Sequence, residues 1–235
     1  MMTKKLIVNA DDFGQSDGIN TGIIRGYEEG IVTSTSLMVR YRTAIDAADY
    51  AAKHPDFDLG LHIDLGEWIF KDCDWVPIYE VIDLNDLDAV QSEINNQLNS
   101  FIRLIGRPPS HIDSHQHVHM RDSIRPLFIQ MAKKLKITLR RCNPVVQYCG
   151  EFYGQLENAE PFHEAISEQG LSAIIKKLAS GYTEMACHPS LFSDIETMYR
   201  NERKIELNTL CNKNIIALLA EENVELCSFR DILLN

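Results

Sequence analysis

Leu6-Ile7-Val8-Asn9-Ala10-Asp11-Asp12-Phe13-Gly14 opens the chain with an apolar run that stops at two adjacent carboxylates. Leu6 to Val8 reads as a first strand. The same order, a short apolar run and then a helical pattern, recurs to the end of the sequence. Gly18 to Glu29 has the period of a helix, and Gly30 stands where that helix stops. Ser34 to Val39 is a second strand, and the helix over Ala44 to Lys53 ends at His54-Pro55. Asp58 to Ile63 is a third strand. Leu87 to Ile105 is a long amphipathic helix with Val90, Ile94, Leu98, Phe101 and Ile105 on one core-facing stripe. Gly106 and Pro108-Pro109 end it. Ser110 to Ser114 is a fourth strand, Ile124 to Leu135 a helix and Ile137 to Arg141 a fifth strand. Residues 142–170 read as an irregular loop region, polar and aromatic, over one end of the fold. A helix over Leu171 to Leu178, a sixth strand over Glu184 to Cys187, a helix over Arg203 to Glu221 and a seventh strand over Val224 to Ser228 follow.

Repeated strand-helix alternation implies a parallel sheet. Seven such units predict an α/β fold, a distorted TIM-like (β/α) barrel of about seven parallel strands. A doubly wound open sheet is the second choice. A length of 235 residues suits one domain over 1–235, with no linker, repeat or low-complexity segment.

The net charge of -11 argues against a nucleic-acid surface, which needs a basic patch. An acidic protein can still bind a neutral sugar. No apolar stretch has membrane-spanning length, and the run before Asn9 is too short for a signal peptide. The six cysteines, Cys73, Cys142, Cys149, Cys187, Cys211 and Cys227, form no CxxC pair. They read as reduced thiols of a cytoplasmic protein.

His111-Ile112-Asp113-Ser114-His115-Gln116-His117-Val118-His119 places His111, Asp113, His115, His117 and His119 at alternate positions. On an extended strand such residues share a face, with Gln116 pointing away. Imidazoles and a carboxylate on one face are costly to bury without partners, and a divalent metal supplies one. Asp11-Asp12, His62, Asp113 to His115 and His188 each follow a different predicted strand at its C-terminal end. That edge is where parallel α/β folds build sites. Asp12, His62 and His115 form a suitable ligand set for zinc, manganese, cobalt or magnesium. With the two aspartates turned apart, one binds the metal and the other takes a proton from water activated by it. His188, held extended by Pro189, is a candidate general acid. Asp113 is placed to orient a ligand histidine, and His111 to do something similar from deeper in the strand. His117 and His119 either shape the substrate pocket or bond within a loop. His54 and His163 stand in loop-like surface contexts. Trp68 and Trp75 offer either sugar-stacking rings or lid packing.

Ile7 to Gly14, Gly30-Ile31-Val32-Thr33-Ser34-Thr35, Gly60-Leu61-His62, His111 to Met120, Phe152-Tyr153-Gly154 and Cys187-His188-Pro189 together resemble the YdjC-like carbohydrate deacetylase family, which includes chitooligosaccharide deacetylases. The matches run in order over nearly the whole chain. The resemblance implies a βα-barrel deacetylase fold and one divalent metal, magnesium foremost, at Asp12, His62 and His115. It further implies Asp11 as base, His188 as the group assisting the leaving amine, and a homodimer.

The expectation is therefore a metal-dependent hydrolase that removes acetyl from an N-acetylated sugar. A metal-dependent phosphoesterase is the alternative, thinly supported because only Arg40, Arg121 and Arg140-Arg141 are at hand to hold phosphate. A non-catalytic sugar-binding protein has no need of both an acid and a base.

Overall fold

The computed structural model describes residues 3–232. Its first half runs β1 (Lys4–Phe13), α1 (Asp17–Glu29), β2 (Ser34–Leu37), α2 (Ala44–Lys53), β3 (Asp58–Ile63), β4 (Gly66–Lys71), β5 (Asp74–Glu80) and α3 (Leu87–Ile105). Then come β6 (His111–Ser114), a 3-10 turn (His115–Met120), α4 (Arg125–Leu135), β7 (Thr138–Leu139), β8 (Val146–Cys149), α5 (Glu168–Lys177), β9 (Gly181–Cys187), α6 (Glu202–Leu210), α7 (Lys213–Glu221), β10 (Val224–Leu226) and a 3-10 turn (Phe229–Asp231).

Eight strands form one sheet in the order β7-β6-β3-β2-β1-β9-β8, with β10 beside the start of β1. Every pairing in it is parallel. The sheet curls into a barrel that stays open, since no pairing joins β7 to β8 among the described residues. Leu6, Val8, Leu59, Leu61, Ile112 and Met185 from its strands are buried in one apolar cluster with the inner stripe of α3, where Val90, Ile94 and Phe101 are buried. Asp86 caps that helix by accepting from the Ala89 amide, and Gly106 ends it in the left-handed region at φ 78°, as its sequence requires.

All seven expected strands are present, and an eighth, β8, lies inside the stretch read as irregular. Two further differences bear on function. First, β4 and β5 form an antiparallel hairpin outside the barrel. Its two turn residues, Asp72 and Cys73, both have positive φ, the geometry that matches the twist of a two-residue hairpin. Aspartate is usual at the first of these positions, but Cys73 stands where glycine is expected, so the turn signal is incomplete. Second, the helix expected over Arg203 to Glu221 is two helices. Asn212 interrupts it and caps α7 by accepting from the Asn214 amide at 2.8 Å. Beyond this break α7 buries the apolar Ile215 and Leu219, whereas α6 buries Glu202, Arg203 and Glu206 alongside Leu207 and Leu210. Strand geometry stops at Ser114, where the fourth strand was expected to end. Gln116 and His117 have φ of 48° and 53°, so the alternation read over 111–119 ends halfway.

Candidate metal centre

The site is built at the C-terminal ends of β1, β3, β6 and β9, the edge where the polar residues were expected. Adjacent residues of a regular strand point to opposite faces, which would send one aspartate away. Here the register of β1 against β2 shifts between Ala10 and Phe13, and Asp12 has φ 69°. A bulge of this kind re-aims a side chain, and aspartate tolerates the left-handed region better than most residues. Asp11 and Asp12 consequently enter the same site on different sides.

Asp12, His62 and His115 bring three donor atoms within 4.8 Å of one another, and all three residues are buried. Asp12 Oδ1 lies 3.2 Å from His62 Nε2 and 3.1 Å from His115 Nδ1. The Nε2 atoms of both histidines are buried without a hydrogen-bond partner. Of these two atoms only His62 Nε2 faces Asp12; His115 presents Nδ1 to that carboxylate, and its Nε2 stands 4.0 Å from Glu67 Oε2. One carboxylate oxygen between two imidazole nitrogens, one of them orphaned, is a mixed oxygen and nitrogen donor set, so these residues fit a divalent metal. Burial opposes charge on both rings, but Asp113 and Asp12 outweigh it: His62 is raised to about 10, and His115 is raised chiefly by Asp12. A cation would compete with those protons. Asp113 Oδ1 lies 2.7 Å from His62 Nδ1, the ring nitrogen opposite the one that faces Asp12. Asp113 also belongs to a second cluster, with Asp11 and His62.

Asp11 is gripped by Arg140. Nη1 and Nη2 donate to its two oxygens at 2.6 and 2.7 Å. The same fully buried guanidinium reaches Asp113 at 2.8 Å and Glu184 at 2.5 Å. Burial pushes the Asp11 carboxyl up, yet Arg140 reverses the shift and holds it below the ordinary value. Burial dominates at Glu184, which is pushed up to about 7. Arg140 follows β7 at the open side of the barrel and replaces apolar filling there with ion pairs to β1, β6 and β9. Its position at the end of an expected strand was the available signal.

His188 follows β9, with Nε2 3.8 Å from Asp11 Oδ2 and Nδ1 3.7 Å from Glu206 Oε1. Glu206 is fully buried and accepts from the His188 amide and the Tyr199 hydroxyl. Tyr153 and Tyr199 stack at 4.6 Å, and each meets the His188 ring edge-on. None of Glu206, Tyr199 or Arg203 stood out in the sequence, because their segments carry no motif and meet the site only through folding.

The remaining histidines separate. His117 Nε2 lies 3.0 Å from the Tyr148 hydroxyl and lines the pocket. Burial and then Arg140 lower it to about 3. His119 is fully buried between Ser114 Oγ and the Arg140 carbonyl, so it supports the loop rather than facing the pocket. His111 stands apart from the centre: it stacks on Phe229 at 3.8 Å beneath Gly60, where an added Cβ would come within 2.3 Å of the ring. It therefore orients no ligand. Gln116 bonds both to the amide and to the carbonyl of Trp68 and so ties β4 to the β6 turn. His163 is exposed, while His54 is partly covered and stacks on Tyr50. A pocket of ≈ 1000 Å³ leads to Asp11, Asp12, His62, His115 and His188, with Trp68 and Trp75 on its wall.

A parallel barrel with one open side and a carboxylate-imidazole cluster at its strand ends defines the class of the molecule. Residues 5–221 match the model of the YdjC-like protein family, and the chain belongs to that family. It is similar to a chitooligosaccharide deacetylase of Serratia marcescens, 32% identical over 98% of this chain and 100% of the relative. A carbohydrate deacetylase of Clostridium beijerinckii is 31% identical over 97% and 100%. In solved structures, a protein of Enterococcus faecalis described as a cellobiose-phosphate cleavage protein superposes with a TM-score of 0.76 at 23% identity, covering 97% of this chain and 98% of that one. Among the described residues no helix is long and apolar enough to cross a membrane.

Proposed function

We propose that the protein is a divalent-metal-dependent carbohydrate deacetylase that releases acetate from an N-acetylated sugar or short oligosaccharide of the N-acetylglucosamine type. The observation that carries this reading is the Asp12-His62-His115 cluster with orphaned imidazole nitrogens, set beside Asp11 and His188 at the base of one pocket. The names of the two relatives support the substrate class.

Asp12, His62 and His115 would hold the cation, which when bound supplies Lewis acidity at the acetyl carbonyl and lowers the pKa of water. Resemblance points to magnesium, whereas two imidazoles and one carboxylate equally suit zinc, cobalt or manganese. Asp11, kept ionised by Arg140, takes the proton of the attacking water. His188 gives a proton to the departing nitrogen, and Glu206 holds its backbone in place. Asp113 fixes the ring of His62 from behind. Tyr153 and Tyr199 shield the reacting groups, and His117 contacts the substrate side of the pocket. Residues 1–235 act as one domain in this reading. Free thiols at all six cysteines support a cytoplasmic enzyme, and the family resemblance supports a homodimer.

The alternative of a phosphoesterase loses two of its four cations, since Arg40 pairs with Asp64 and Arg140 is committed to Asp11, Asp113 and Glu184. Metal-stripped protein supplied with magnesium, zinc, manganese or cobalt should release acetate from N-acetylglucosamine, its 6-phosphate or a chitobiose-type substrate. His115→Ala should abolish the release. Phosphate release without acetate would replace this reading with the phosphoesterase, and metal-independent acetate release would remove the cation from it.

A further inference from the structure

Asp12 divides its two oxygens. Oδ1 faces His62 and His115, while Oδ2 accepts from Arg203 Nη2 at 2.7 Å. Arg203 is itself fixed at a second point, because its Nε donates to the Tyr199 carbonyl at 2.9 Å. The guanidinium is buried, and its Nη1 has no hydrogen-bond partner. Burying an arginine with an orphaned donor is a poor way to stabilise a helix against a barrel, since desolvation offsets much of what one ion pair returns. A well-packed apolar residue on this face of α6 would serve stability better. What the arrangement does provide is an Asp12 that cannot rotate freely.

We propose that Arg203 is the positioning residue that makes Asp12 a one-oxygen metal ligand. This rests on the metal reading above. A free carboxylate at the end of a bulged strand can turn either oxygen, or both, toward a cation. With Oδ2 held by Arg203, only Oδ1 stays with the two imidazoles. The fork at Tyr199 carries the restraint from the loop before α6, so the same segment that holds Tyr199 beside His188 also sets the ligand geometry. Outer partners of this type typically change metal affinity by about 10- to 100-fold when removed.

Cobalt(II) tests the inference, because its visible absorption responds to the number and type of ligands. Wild-type protein, Arg203→Met and Arg203→Lys would be stripped of metal, checked for folding by circular dichroism and thermal unfolding, and titrated with cobalt(II). In Arg203→Met both Asp12 oxygens become available, so the spectrum should change in position and intensity and binding should weaken by about tenfold or more. Arg203→Lys keeps the charge but cannot grip Tyr199 and Asp12 together. It should give the same altered spectrum with a smaller loss of affinity, and it decides the question if Arg203→Met does not fold. An unchanged spectrum, or binding as tight as wild type, in a folded variant would overturn the inference alone. Failure of the wild-type protein to bind cobalt(II) would overturn the metal reading itself and this inference with it.

Discussion

Arg140 sets one positive charge against three buried carboxylates, Asp11, Asp113 and Glu184. Removing one partner of a buried network costs more than the network contributes, because the remaining charges lose their solvation substitute. Arg140→Met should therefore lower unfolding free energy by about 3–5 kcal/mol, read from urea midpoints; a midpoint shift within error would show that the carboxylates do not depend on it. Asp11→Asn separates chemistry from metal binding. It leaves Asp12, His62 and His115 intact, so bound metal should remain near wild type while the rate of acetate release falls by about 10²- to 10⁴-fold. Loss of metal in this variant would assign Asp11 to the ligand set instead of the base.

The loop after His188 and the β4-β5 hairpin are two of the elements that shape the pocket. Gly22 of α1 lies against that loop, and an added Cβ would stand 2.4 Å from Ser190 Cα. The loop is also pinned to the start of α1, where Asp194 accepts from Ser16 Oγ and the Gly18 amide. Gly22→Ala must displace the loop, and a misplacement of about 1 Å at His188 can cost about 100-fold in rate. The expected result is that loss in kcat with cobalt(II) binding kept; full activity would show that the loop yields without moving His188. On the other wall, Trp75 is 46% exposed on the hairpin and lines the pocket. It is a sugar-stacking candidate beyond the first ring. Trp75→Ala should raise KM for a chitobiose-type substrate and leave that for the monosaccharide unchanged, and equal effects on both would assign the ring to packing.

At the scale of the molecule, buried neutral histidines make folding sensitive to acid. Burial lowers His111 and His119 from 6.5 to about 4. Between these values the unfolded chain binds protons that the folded chain refuses. The contribution of these two histidines is complete above about 6.5 and falls toward 4, by about 1.4 kcal/mol per pH unit for each. Glu184 works in the opposite sense over 4.5 to about 7, because burial favours its protonated form in the fold, and it cancels only part of the slope. His111→Phe keeps the stack on Phe229 and removes one titration. Urea midpoints of metal-free protein between pH 4.5 and 6.5 should fall less steeply in this variant, by about one proton's worth; the wild-type slope in the variant would mean that His111 titrates normally.

The sequence by itself determined the parallel α/β barrel and the strand-end set Asp11, Asp12, His62, Asp113, His115 and His188. Hydrophobic period and chain order are local properties, and in a parallel sheet the C-terminal ends of strands converge whatever the details of packing. It did not show the β4-β5 hairpin, whose Asp72-Cys73 turn lacks the glycine that usually follows the aspartate, nor the break at Asn212. It ended the fourth strand at Ser114, where the structure ends it, but left His117 and His119 open between pocket and loop, because alternation of histidines looks the same whether or not the backbone stays extended. Only the tertiary structure decided which carboxylate oxygen faces which nitrogen. The bulge at Asp12 turns two neighbours into one site, Arg140 crosses the open side of the barrel to Asp11, and α6 delivers Arg203 and Glu206 from 191 and 18 residues away in sequence. These partners are set by long-range packing and by the need of each buried charge for a counter-charge, and neither leaves a periodic trace in the chain.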